Sequence, residues 1–116
     1  MNGQISSLEE FWPFYVSQHL NPVNRCLHFY GTTLGLILGL AAFLWRAPLL
    51  AVAALAAGYG FAWVGHFFYE RNRPATFAYP LLSLRADLRM YGLTLRGKMD
   101  TEILTLTKEL KRLRAD

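Results

Sequence analysis

The sequence predicts an all-α membrane protein: a hairpin of two transmembrane helices flanked by interfacial amphipathic helices. Three observations carry this. Charged residues make up only 17% of the chain and hydrophobic ones 53%, where average soluble domains carry roughly 25% charged residues. Two stretches without Asp, Glu, Lys or Arg follow one another, residues 26–45 and 47–69. Each is long enough to cross a bilayer core as a helix, which takes about 20 residues. Between them lies Arg46-Ala47-Pro48. Proline lacks an N–H and disfavours helix in the residue before it, so a tight helix–helix turn fits there.

The same numbers exclude other classes. Disorder needs low hydrophobicity and high charge. A chain of 116 residues makes one domain, 1–116, and is too short for two with separate cores. The single cysteine, Cys26, excludes an intramolecular disulfide framework and a CxxC-type zinc site. A hairpin buried inside a soluble domain fails because too few polar residues remain to cover two apolar helices. The net charge of +4 points to no nucleic-acid partner once its distribution is read. Arg25 precedes the first span, and Arg71, Arg73, Arg85, Arg89, Arg96 and Lys98 follow the second, with only Arg46 in the turn. The positive-inside rule then puts both termini in the cytoplasm.

The elements follow in order. Ser7-Leu8-Glu9-Glu10 reads as a capping box that starts a helix over about 8–20. Its aromatic load, Phe11, Trp12, Phe14 and Tyr15, suits the membrane interface. Asn21-Pro22 ends it. The spans are expected over 26–45 and 49–69. The first begins too late, after acidic residues, to be a signal peptide. Gly31, Gly35 and Gly39 recur every four residues and predict a smooth face for close packing against Ala53, Ala57, Gly58 and Gly60. After a breaker at 72–75, Leu84, Leu88, Tyr91 and Leu95 recur at helical spacing over 83–96. Arg85, Asp87 and Arg89 make crossing costly there, so this helix lies on the membrane. Gly97 closes it. Asp100 caps a last helix over 101–114, with Ile103, Leu106, Leu110 and Leu113 on one face and a basic face suited to anionic headgroups.

The placement of the histidines is the functional signal. His28 lies 19 residues before Ala47 and His66 lies 19 after it. Equal distance in an antiparallel hairpin means equal depth, about 28 Å from the turn. Both imidazoles therefore reach the cytoplasmic boundary. A chain folding back at Asn21-Pro22 brings His19 to them. Neutral imidazole suits iron, zinc and copper. Glu70 shares a helix face with His66 and is either a carboxylate ligand or a group that orients an imidazole. Asn24 and Asn72 add polar groups at this level, and Arg25, Arg71 and Arg73 supply positive charge for a headgroup or substrate carboxylate. No GxGxxG, P-loop, GxSxG or HExxH motif is present.

Two segments carry a family resemblance. Residues 19–28 read H-x-N-P-x-N-x-x-x-H, and residues 64–75 read V-G-H-x-x-x-E-x-x-R-P-A. Together they resemble the Mpo-like family of small membrane proteins, over about residues 11–90. The resemblance implies a non-haem Fe(II) dioxygenase that acts with O2 on 2-hydroxy fatty acids and shortens them by one carbon, an α-oxidation step of lipid metabolism. It implies His19, His28 and His66 as iron ligands and Glu70 as a further catalytic residue. Arg25, Arg73, Asn24 and Asn72 are then the substrate-binding set. Two other readings stay open on the residues alone: a b-type haem protein with two axial histidines, and a membrane scaffold without chemistry. Two helices enclose an acyl tail poorly, which points to a homodimer. The Ala/Leu/Arg-rich composition points to a bacterial inner membrane, or to the endoplasmic reticulum in a eukaryote.

Overall fold

The computed structural model describes residues 5–115 and is all-helical, with no strand among the described residues. Residues 1–4 and 116, which the single-domain expectation takes in, lie outside the described residues. The elements are α1 (Leu8–Ser17), α2 (Pro22–Trp45), α3 (Pro48–Val64) continued by a π-helical stretch (Gly65–Glu70), a 3-10 turn (Ala75–Phe77), α4 (Pro80–Leu95) and α5 (Met99–Ala115). They group into two compact units. One is His19–Pro74, and the other combines the segments on either side of it.

The first unit is the hairpin. Its first helix starts four residues earlier than expected, because Asn21-Pro22 is a start signal as well as a stop. The Asn21 side chain accepts the Val23 N–H at 2.8 Å, and Pro22 occupies the first helical position, where its missing N–H is no loss. The helix ends at Arg46 in the left-handed conformation (φ 50°). The Ala47 N–H reaches the Ala42 carbonyl at 3.0 Å, and Pro48 opens α3. Both helices are long and apolar enough to span a membrane. Only 17% and 11% of their apolar windows are buried, which separates them from core helices of a soluble protein. Inside α2, the Thr33 hydroxyl is satisfied within its own helix by the Phe29 carbonyl at 2.8 Å.

The glycine ladder holds at two rungs of three. A Cβ on Gly31 would lie 2.7 Å from Phe61 Cβ and 3.1 Å from the Ala57 carbonyl oxygen. One on Gly35 would lie 3.1 Å from the Ala54 carbonyl oxygen. At these positions only the absence of a side chain lets the backbones meet. A Cβ on Gly39 or Gly60 would meet nothing within 4 Å. The seam is tight below Gly35 and open towards the turn.

The buried apolar cluster of the described residues lies in the second unit. Ser7 caps α1 as expected, accepting the Glu10 N–H at 3.2 Å, and its hydroxyl reaches the Glu10 carboxylate at 3.1 Å. Phe11, Trp12, Tyr15 and Val16 of α1 then pack with Ala75, Ala86, Met90 and Met99. Three of the four α1 aromatics expected at a lipid interface therefore build a protein core; Phe14 alone is 41% exposed. On α4 the buried face is Ser83, Ala86 and Met90, whereas Leu84, Leu88 and Leu95 are 48%, 50% and 63% exposed. Periodicity found an apolar face, and the core uses the other one. Trp12 Nε1 donates to Glu102 at 2.6 Å, and Arg89 sits 5.1 Å above the Trp12 ring while pairing with Glu9 at 3.3 Å. Gly97 closes α4 at φ 68°. Asp100 falls inside the first turn of α5 instead of capping it, a position where an acid still complements the helix dipole.

Candidate metal centre

Three imidazoles converge at the base of the hairpin. His28 is carried by α2, His66 by the π-helical stretch, and His19 by the segment just before α2. All three are buried, at 5%, 2% and 1% exposure. Their ring centroids lie 4.6 Å (His19–His28), 4.5 Å (His19–His66) and 4.9 Å (His28–His66) apart, with every pair nearly perpendicular. One ring nitrogen from each lies within 4.8 Å of the other two.

The hydrogen bonds on the far side of the rings say which nitrogens these are. His28 Nδ1 faces the Asn24 carbonyl oxygen at 2.9 Å. His66 Nδ1 faces Asn72 Oδ1 at 2.7 Å. Both partners are oxygens that only accept, so each Nδ1 carries the proton and each Nε2 keeps a lone pair. His19 Nε2 and His28 Nε2 face each other at 3.2 Å. Two nitrogens bound to one ion at about 2.1 Å are that far apart when they subtend about 100°. Three buried imidazoles with converging ring nitrogens, two of them oriented by oxygens behind Nδ1, fit a divalent transition metal.

The flanking residues fix this geometry. Arg25 Nη1 donates to the His19 and Leu20 carbonyls, both at 2.8 Å, and so ties down the segment that presents His19. Glu70 Oε1 accepts the Asn21 N–H at 2.5 Å and Asn24 Nδ2 at 3.3 Å. Its carboxylate therefore joins the network through the start of α2, apart from the converging ring nitrogens. The π-helical stretch ends at Arg71 (φ 61°), and the Asn72 N–H returns to the His66 carbonyl at 3.0 Å. That return places the Asn72 side chain beneath the His66 ring. Arg73 is exposed and lines an open groove of about 560 Å³ with Phe67, Phe68, Arg71 and Asn72.

The expected residues thus separate into groups. His19, His28 and His66 come together. Asn24, Asn72, Glu70 and Arg25 brace them from outside. Arg73 stands on the groove. Sequence reasoning missed Asn21, which caps α2, contacts Glu70 and donates through Nδ2 to the Tyr69 carbonyl at 3.2 Å. Its place in the N-P-x-N run was the signal for it. It also missed the π-helical stretch, a form that recurs at functional sites.

No curated protein and no solved structure matches the chain. A family does: residues 5–99, from before α1 to the first residue of α5 and including all three histidines, match the one described as 2-hydroxy-palmitic acid dioxygenase Mpo1-like. With its hairpin, its buried histidine triad and this match over most of its length, the chain belongs to the Mpo1-like family.

Proposed function

We propose that the protein is a non-haem Fe(II) dioxygenase. In this reading it converts a 2-hydroxy fatty acid and O2 into the acid one carbon shorter, CO2 and water. The observation that carries the reading is the triad of buried imidazoles with converging ring nitrogens, in a chain of a family named for that activity. His19, His28 and His66 would hold the iron, which supplies the means of activating O2 and of binding a 2-hydroxy acid. The residues of the chain do the rest. The Asn24 carbonyl and Asn72 Oδ1 hold the Nδ1 protons and so keep Nε2 available. Arg73 attracts the substrate carboxylate, and Phe67 and Phe68, 47% and 72% exposed, offer an apolar flank to the acyl tail. In this reading the end that carries the triad lies at headgroup level on the cytoplasmic side, where such a substrate carries its polar atoms; the distribution of arginines supports that side. A haem needs a flat slot between its axial ligands, and three rings within 4.9 Å of one another leave none.

The test is a single-turnover assay in detergent. Protein purified without oxygen and loaded with Fe(II) is mixed with 2-hydroxypalmitate, O2 is admitted, and pentadecanoate is measured by mass spectrometry. Wild-type protein is expected to form it. His66→Ala is expected to lose bound iron and at least about a thousandfold in rate, in the range by which removing a principal catalytic group slows an enzyme. Iron and turnover retained by that variant would refute the assignment.

A further inference from the structure

We propose that Asn24 and Gly65 form a lock that sets the position of His66 relative to His28; this rests on the metal-centre reading above. Asn24 is a positioning residue here, and Gly65 is the residue that makes room for it.

The argument starts from an unsatisfied atom. Asn24 is 0% exposed, and its Oδ1 has no hydrogen-bond partner among the described residues. A buried polar atom left unpaired is costly. Turning the amide over brings no relief, because Oδ1 would then oppose the Glu70 carboxylate that now accepts from Nδ2 at 3.3 Å. The amide is held by Glu70, and its oxygen rests against the backbone of Gly65. A Cβ on Gly65 would collide with that oxygen, and would lie 2.9 Å from Asn24 Cγ and 3.2 Å from Asn24 Cα. Gly65 has an ordinary right-handed backbone (φ −59°, ψ −45°). The glycine is therefore needed for space and not for its conformational freedom.

The two contacts of the Asn24 side chain fall at the two ends of one element. Gly65 is the first residue of the π-helical stretch and Glu70 is the last. The side chain spans the stretch that carries His66. The main-chain carbonyl of the same residue holds the Nδ1 proton of His28 at 2.9 Å. One residue of α2 thus fixes one imidazole directly and sets the frame of the other. A π-helical stretch is a rare form in need of outside support, and this staple supplies it.

The test uses the full chain in detergent with Asn24→Ala, Gly65→Ala and the double variant. Co(II) stands in for iron and is read by its ligand-field spectrum and by chelator competition. Asn24→Ala is expected to weaken Co(II) binding about tenfold to a hundredfold and to shift the spectrum, the usual range for removing a group that orients ligands. Gly65→Ala is expected to do the same when Asn24 is present and nothing further when it is absent. An equal loss from Gly65→Ala in both backgrounds would overturn the lock. So would wild-type affinity and spectrum in Asn24→Ala, which removes both the bond to Glu70 and the contact with Gly65. A second readout needs no metal. In protein labelled with ¹⁵N-histidine, Asn24→Ala is expected to move the ring-nitrogen shifts of His66; unmoved shifts would also overturn the lock. If wild-type protein bound no Co(II), the metal reading would fall by itself, and the histidine shifts would still decide the lock.

Discussion

The two ends of the hairpin are built from the same two helices and have opposite characters. At the base, His19, Asn24, His28 and His66 are buried, and hydrogen bonds link them to Asn72 and Glu70. At the tip, Phe43, Trp45 and Leu49 are 79%, 72% and 83% exposed, around an open groove of about 830 Å³ lined by Gly39, Ala42 and Ala51 among others. The base buries its polar side chains, so their donors and acceptors are drawn onto one another. The tip has only a turn to satisfy, and does so within its own backbone. Side chains with chemistry sit where the seam is tight, and the open end carries exposed apolar side chains and Arg46.

The largest effect that could break this comparison comes from Asn72. Asn72→Ala removes the acceptor of the His66 Nδ1 proton and leaves the ligand itself in place. A loss of about 10–100-fold in metal affinity is expected, read by chelator competition with Fe(II) or Co(II). Phe43→Ala, at the tip, is expected to stay within about twofold of wild type, as a surface substitution with no named mechanism. Equal losses from both would mean that the base has no special role in holding metal.

Much of this contrast was legible in the sequence. The two uncharged runs gave the hairpin, and the equal spacing of His28 and His66 from Ala47 gave their common depth, because an antiparallel pair turns sequence distance into height. The fold-back at Asn21-Pro22 that brings His19 to them was readable for the same reason. What was not legible depends on partners. Glu70 at i+4 from His66 reads as a neighbour on one α-helical face, but the stretch between them is π-helical. Its carboxylate goes to Asn21 and Asn24, 49 and 46 residues away in sequence. The α1 aromatics read as an interfacial load because nothing local announces that Ala86, Met90 and Met99 will cover them. Gly39 looks like Gly31 in any periodic reading, and only the splay of the helices tells them apart.

That last difference gives a second, smaller test. Gly31→Ala must push Phe61 and the Ala57 carbonyl aside, and overpacking of this kind costs about 1–3 kcal/mol. Gly39→Ala meets open space and gains helix propensity, so it is expected to be neutral or stabilising by up to about 1 kcal/mol. Unfolding in mixed detergent micelles containing increasing SDS measures both. A Gly39→Ala loss as large as that of Gly31→Ala would show that the seam is closed along its whole length.

A third test sets the base against a buried polar pair in the other unit. Tyr15 donates its hydroxyl proton to Asp87. Burial pushes the Asp87 carboxyl up from 3.8 to about 6, with the Tyr15 hydrogen bond opposing the shift, and burial together with Asp87 raises the Tyr15 hydroxyl. The folded unit therefore binds the Asp87 proton more tightly than the unfolded chain does. Its contribution to stability is full below about pH 4 and is lost as pH rises through about 6. The change is on the order of 3 kcal/mol. Hydrogen exchange of α1 and α4 amides, corrected for intrinsic rates, should show protection falling between those two pH values. Asp87→Asn keeps an acceptor for Tyr15 and removes the titrating group, so its protection should be flat across the same range. A wild-type profile as flat as that of Asp87→Asn would mean that this carboxyl ionises at its ordinary pH. At the hairpin base the lone pairs converge on one point and invite an ion. Here the donor and acceptor satisfy each other, so the pair has nothing to offer a ligand, and its one consequence is a stability that falls as the carboxyl ionises.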